Sequence, residues 1–298
     1  ARVLPIAREL SFDGMQRYGF HGLSLESIVR QLGASLPQRL VIAHLGNGAS
    51  ITAVHAGRSI DTSMGLTPSG GVIMGTRSGD LDPGILLYLL REKAFDAGKL
   101  EALIDQRSGL LGISGLSGDM RRLHAAEASN GDARLAIAMF CYSVRKQVAA
   151  MAAVLGGLDM LVFTGGIGER DASVRAEICA GLAWLGVSLD ESRNRAASTD
   201  IGDDGSSCAV RVLPSQEELQ IELSVSLHAP NDELRSRLMP VNRRYAIAEL
   251  KTACAEYTER TGRIITFEYT LIRDTNDSRE TSEELAALLG DFKCRVNL

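Results

Sequence analysis

Long apolar runs are missing from this chain. Nothing in its 298 residues approaches the roughly 18 consecutive apolar residues of a membrane span, and the N-terminus has no signal-peptide pattern. An excess of positive charge is missing too. The formal net charge of -5 argues against a general nucleic-acid or membrane-surface binder and leaves room only for a local basic patch. The five cysteines, Cys141, Cys179, Cys208, Cys254 and Cys294, are odd in number and scattered, and no pair has metal-ligand spacing. They read as reduced thiols in a cytoplasmic protein. No internal repeat or low-complexity stretch occurs. An initiator Met is also absent before Ala1, and with the abrupt Val296-Asn297-Leu298 end the chain is expected to be cut at both termini.

What is present is a core-forming composition, 45% hydrophobic, with room for one large domain or two ordinary ones. The most informative stretch is the turn His44-Leu45-Gly46-Asn47-Gly48-Ala49-Ser50, set between two apolar strands. Glycines bring backbone close to a ligand, and Asn, Ser and exposed N–H groups grip phosphate oxygens. A second glycine loop, Thr164-Gly165-Gly166-Ile167-Gly168-Glu169, follows the apolar run Met160–Phe163. Either alone reads as an ordinary turn; together they suggest a nucleotide held between them.

Around these loops the pattern predicts a helix starting at Ser24 and reaching Leu32, then the hairpin around Asn47. Residues 61–80 read as a long irregular segment, which inside a compact domain is often functional. Asp82-Pro83 opens a helix, and an alanine-rich helix runs from Asp132 to Leu155 before a Gly156-Gly157 stop. A helix from about Ala172 to Leu185 and a short strand at Val210–Leu213 complete this region. After about Leu223 the style changes to alternating units: a strand ending near Pro230, helices at Asn231-Asp232 and Ile247–Thr261, a strand at Ile264–Leu271, and a helix at Arg279–Leu289. That alternation suggests a parallel sheet or barrel.

Several residues have chemistry to offer. Arg77 either pairs with a neighbouring carboxylate or clamps a phosphoryl group with its planar fork of donors. His21 and His44 lie in glycine-flanked loops, which favours functional use over a core role. Asp119 is explained equally by a helix N-terminus. Glu217 and Glu218 stand at a strand end where a carboxylate could hold Mg²⁺. Asp159 and Glu169 flank the second loop, and Glu169 reads as a helix cap. The charges at Arg235, Arg237, Arg243 and Arg244 form either a solvated face or an RNA contact.

The motifs Arg17-Tyr18-Gly19-Phe20-His21-Gly22, His44 to Gly48, Gly75-Thr76-Arg77-Ser78-Gly79-Asp80-Leu81-Asp82-Pro83, Phe163 to Glu169 and Glu217-Glu218-Leu219 together make residues 1–222 resemble the C-terminal two-thirds of the acetate kinase family. The resemblance implies an α/β fold of the actin/sugar-kinase superfamily with RNase H-like domains, truncated at its N-terminus. It also implies phosphoryl transfer between ATP and acetate, or another short carboxylic acid, with Mg²⁺ in a homodimer. His21 and Arg77 would stabilise the transferring phosphoryl group. His44, Leu45, Gly46, Asn47 and Gly48 would contact the phosphates. Asp119, Met120 and Arg121, with Gly166, Ile167, Gly168, Glu169 and Arg170, would hold the adenosine end. Glu217, ahead of Glu218, would serve Mg²⁺. This chain departs from the family at Leu23, Leu25, Arg170 and Ser215-Gln216, and the family's N-terminal domain is expected to be largely absent from it.

Residues 223–298 resemble a different family. Ser226 to Arg235, Leu238 to Arg243 and Thr266 to Tyr269 look like the dual-specificity radical S-adenosylmethionine RNA methyltransferases. That implies a small βα fragment of a partial TIM-type barrel, with Ser226, Leu227 and His228 lining the S-adenosylmethionine site. The CxxxCxxC cluster motif is absent, so no iron–sulfur centre is expected. The alternatives to a carboxylate kinase are therefore RNA methyltransfer or a non-catalytic chimera.

Overall fold

The computed structural model describes residues 2–11, 15–216, 223–262, 264–290, 292 and 294–297. The chain divides into two compact units, Ala1–Leu219 and Gln220–Leu298.

In the first unit a short helix α1 (Arg8–Ser11) precedes α2 (Gly22–Leu32), and then β1 (Arg39–Leu45), β2 (Ala49–His55) and β3 (Arg58–Thr62) run antiparallel in turn. Four helices follow: α3 (Pro83–Glu92), α4 (Ala97–Gln106), α5 (Gly109–Ser114) and α6 (Met120–Ala126). Asp82 caps α3 by accepting from Gly84 N, and Pro at the first turn loses no hydrogen bond there. The long α7 (Gly131–Leu155) starts under Asn130, whose Oδ1 accepts from Asp132 N and Ala133 N. It ends where Gly156 turns left-handed. Then come β4 (Met160–Thr164), α8 (Gly165–Arg170), α9 (Ala172–Ala180), α10 (Glu191–Arg195) and β5 (Ala209–Val212).

The sheet order is β3-β2-β1-β4-β5, with β1, β4 and β5 parallel. Both faces are covered, which is why β1 and β4 read as continuous apolar runs. Val41, Ala43, Leu161 and Phe163 pack on Phe140, Val144 and Val148 of α7, while Leu40, Ile42, Met160 and Val162 face Ile28 and Leu32 of α2. Each of these side chains larger than Ala43 contributes about 1.5–3 kcal/mol on burial. The parallel pair is fastened at its start. Asp159 accepts from Arg39 N at 2.8 Å and from Arg39 Nε at 2.9 Å, and Asp159 N donates to Arg39 O at 2.9 Å. The guanidinium holds the Asp159 carboxyl below the usual carboxylate range. Asp159 thus pins the end of β4 opposite the glycines and takes no part in the loop it was expected to flank.

Three other expectations are corrected here. Residues 164–169 are not a loop like the first: β4 runs directly into the helix α8. The helix expected to reach Leu185 stops at Ala180, because Arg145 of α7 occupies the space beside Gly181 and donates to the carbonyls of Glu177 and Ile178. The helix at Ser24 begins two residues earlier, and Ser24 is buried inside it.

The second unit has an all-parallel sheet, β6 (Ser224–Ser226), β7 (Ile265–Glu268) and β8 (Cys294–Asn297), in that order. Helices α11 (Asp232–Leu238) and α12 (Ile247–Thr261) connect the first pair, and α13 (Arg279–Leu289) the second. Leu227, Ile247, Cys254, Ile265, Phe267 and Leu289 form its core. Strand β7 is shorter than the predicted Ile264–Leu271. Arg235 is neither solvated nor available to RNA: it is 4% exposed and donates to Leu227 O, Ser226 O and Asn242 Oδ1.

Candidate active site

The end of β1 and the start of α2 bring two histidines face to face. The rings of His21 and His44 stack with centroids 4.1 Å apart and planes inclined by 21°. His44 is held from α2, where Ser24 Oγ lies 2.9 Å from His44 Nδ1, and His21 Nδ1 lies 2.9 Å from Ser50 Oγ. Burial lowers the pKa of His44 to about 4, so its imidazole is neutral near pH 7. A neutral ring stacks beneath His21 without charge repulsion. Ser24 and Ser50 were not singled out as site residues. Ser24 looked like a helix start, and only the fold reveals that its hydroxyl faces a strand residue.

Arg77 meets this pair. A β-carbon built on Gly48 would lie 3.4 Å from Arg77 Nη1 and 3.5 Å from His21 Nε2. The missing side chain therefore leaves a space towards which a guanidinium and an imidazole converge. Arg77 has no carboxylate partner among the described residues. Its contacts are the Pro68 carbonyl at 3.5 Å and the Met74 sulfur at 3.8 Å. The surface ion-pair reading is thereby removed: Asp80 accepts from Gly71 N and Asp82 caps α3. The Arg77 loop is braced through its backbone, with Ser78 N donating to Ile104 O and Ser108 N to Thr76 O.

Next to this point lies a cavity of about 430 Å³ lined by Gly46, Asn47, Gly118, Asp119, Met120, Arg121, Gly166, Ile167, Arg170 and Asp171. A β-carbon on Gly46 would stand 4.0 Å from Gly166 N, so the hairpin turn and the start of α8 are near neighbours. The lining includes both adenosine-end groups expected from the sequence and adds Gly118 and Asp171, which had no signal of their own. Asp119 accepts from Arg121 N at 3.0 Å and from Arg121 Nη2 at 2.6 Å; that bonding holds its carboxyl below the usual range. Five expected contact residues do not line the cavity: His44, Leu45, Gly48, Gly168 and Glu169. Leu45 is fully buried in the core, and Gly168 is packed against Phe163. Glu169 turns its Oε1 inward to accept from Gly165 N at 3.0 Å and Ser215 N at 3.1 Å, the capping role that its position suggested.

The room left by Gly46, Gly48 and Gly166, with donors on its border, fits a polyphosphate. The expected Mg²⁺ ligand Glu217 lies outside the described residues, as does Glu218. Gln216, just before them, donates from its backbone N to Ser27 Oγ at 3.2 Å. Among the described residues no group of three or more His, Cys, Asp or Glu side chains could hold a metal ion. Among them, too, no helix is long and apolar enough to cross a membrane.

A family model described as the Acetokinase family matches residues 3–223, well over half of the chain. The chain belongs to this family. It is 46% identical over 215 residues to an acetate kinase of Heliobacterium modesticaldum, covering 70% of this chain and 54% of that one. An acetate kinase of Clavibacter sepedonicus is 48% identical over 231 residues, with 74% and 58% covered. Among solved structures, acetate kinase of Porphyromonas gingivalis superposes with a TM-score of 0.70 at 38% identity, covering 73% of this chain and 57% of that one. A propionate kinase of Francisella tularensis gives 0.69 at 40% identity, with 73% and 57% covered. The chain spans about half the length of the curated relatives that it matches. Its first unit has their actin/sugar-kinase-like α/β architecture.

Proposed function

We propose that this chain carries the nucleotide-binding and phosphoryl-transfer part of an acetate kinase-type phosphotransferase, which moves a phosphoryl group between ATP and a short carboxylate such as acetate or propionate. The observation that carries the reading is the convergence of Arg77 Nη1 and His21 Nε2 on the empty side-chain position of Gly48, beside the cavity between Gly46 and Gly166. Phosphoryl transfer asks little covalent chemistry of a protein; positioning and charge stabilisation suffice. The Arg77 fork donates to equatorial phosphoryl oxygens, and His21, with Ser50 Oγ–H donating to its Nδ1, presents Nε2–H to another. Gly46, Asn47 and Gly48 cradle the phosphates, and Asp119–Arg121 with Gly166, Ile167 and Arg170 embrace the adenosine end. Glu217 would be the protein partner of Mg²⁺, which would neutralise charge on the phosphates.

The test has two arms. ATP with Mg²⁺ raises the melting temperature of the chain, since a ligand that prefers the folded state stabilises it. Hydroxamate formation from ATP, Mg²⁺ and acetate reports transfer, and Arg77→Ala lowers it about 10³-fold while leaving most of the thermal shift. No ATP-dependent shift in the unaltered chain would overturn the reading. A homodimer, the family's expected state, is checked by light scattering.

For residues 223–298 the proposal is a βα piece of the radical S-adenosylmethionine methyltransferase kind without its cluster. Three parallel strands with intervening helices support it. Anaerobic reconstitution with iron and sulfide should yield no 4Fe–4S chromophore; its appearance would reinstate the methyltransferase reading.

A further inference from the structure

Two walls face each other across the cavity beside Gly46. One is the first turn of α6, with Asp119, Met120 and Arg121; the other is α8 with the joint that follows it, Gly166, Ile167, Arg170 and Asp171. These walls come from segments some 50 residues apart in the chain, and a side-chain bridge joins them. His124, one turn beyond Met120 on α6, places Nε2 2.9 Å from Asp171 Oδ2. Its Nδ1 lies 3.3 Å from Glu127 Oε2. An ionised carboxylate only accepts, so the ring hydrogen on Nε2 points at Asp171.

Asp171 is the joint itself. Its backbone N donates to Ile167 O at 2.9 Å and closes α8, its Oδ1 accepts from Val174 N at 3.0 Å and caps α9, and its Oδ2 is left for His124. Both side chains are largely buried, at 25% and 17% exposure, where a charge-assisted hydrogen bond keeps its strength.

We propose that His124 and Asp171 are positioning residues for the nucleoside end of ATP: the bridge fixes the separation of the two cavity walls and so sets affinity for the adenosine moiety, without touching the transferring phosphoryl group. The inference rests on the reading of this cavity as the adenosine site. It predicts a loss confined to one part of the ligand, because the phosphates are held by the hairpin turn and Arg77, which do not depend on the bridge.

Calorimetric titration of the full chain with ATP and with inorganic tripolyphosphate, each with Mg²⁺, separates the cases. His124→Ala should bind ATP about tenfold more weakly, the equivalent of one charge-assisted hydrogen bond, and bind tripolyphosphate as the unaltered chain does. His124→Gln, which keeps an N–H donor near the Nε2 position, should recover ATP affinity to within about twofold. Equal weakening towards both ligands in His124→Ala would mark general damage and overturn the proposal, as would unchanged ATP binding. An unaltered chain that binds tripolyphosphate no less tightly than ATP would instead overturn the adenosine-site reading, and the bridge's role with it.

Discussion

The hairpin turn His44–Ser50 and the segment Thr164–Glu169 contain similar glycines after similar apolar strands, yet they are built differently. In the first, β1 returns at once as β2, Gly46 N donates to Gly48 O at 3.0 Å, and the chain folds back over two hydroxyl-held histidines, the buried His44 and the half-buried His21. In the second, β4 continues into a helix whose first N–H is taken by Glu169. An antiparallel return packs functional side chains against the sheet. A parallel strand must leave through a helix and opens a cavity beside it. In the function proposed above, the first side takes phosphoryl chemistry and the second the nucleoside.

The sharpest way to break this contrast is at Gly165 and Gly166. Gly165 has φ +78° and a β-carbon there would sit 2.7 Å from Leu45 O, so Gly165→Ala should cost about 3 kcal/mol or more in urea unfolding. If it costs nothing, the close approach of the two segments is wrong.

Next in size is an effect of pH on the hairpin side. The pKa of His44 falls from 6.5 in the unfolded chain to about 4 in the folded one, so between these values the unfolded chain binds more protons. Its contribution is complete above pH 6.5 and is lost as pH falls towards 4, about 3 kcal/mol in all. Urea unfolding at pH 7, 5.5 and 4 should show this decline, and His44→Gln should lack it. An equal decline in the variant would mean that His44 is not the group responsible.

Gly166→Ala should leave folding stability within about 1 kcal/mol, because nothing lies within 4 Å of its β-carbon position and Ala favours helix. ATP affinity should nevertheless fall about tenfold, as for one overpacked methyl group. The smallest effect belongs to Arg121, whose side chain is 89% exposed. Arg121→Ala should change stability by less than about 0.5 kcal/mol, since exposed ion pairs contribute little. Its consequence for ATP affinity, read by calorimetry, should be smaller than that of Gly166→Ala.

Legibility in the sequence followed the range of the forces involved. The hairpin, α7 with its Gly156 end, α13 and the parallel βα tail were visible because apolar period and capping are local. Helix α8 was misread since three glycines argue for a turn, and the supports of the helix, the Glu169 carboxylate returning to Gly165 N and Asp171 N donating to Ile167 O, show only in the fold. The stop at Ala180 depends on Arg145, 35 positions earlier, which no local pattern contains. Arg77 and His21 were recognisable as site candidates from their motifs. Ser24, Ser50, His124 and Asp171 were not, because hydroxyl, imidazole and carboxylate partners acquire meaning only when strands and helices bring them together.

The clamp between Arg39 and Asp159 locks β1 and β4 in step at the ends remote from the glycines. Adjacent strands lie about 4.8 Å apart and advance about 3.3 Å per residue, so the sheet acts as a ruler for whatever is mounted on its upper rim. A slip of two residues would shift Gly46 past Gly166 by about 6.6 Å, more than the width of a phosphate group. The width of the gap between Gly46 and Gly166 is therefore inherited from a fastening on the far side of the sheet, out of reach of any ligand that enters it.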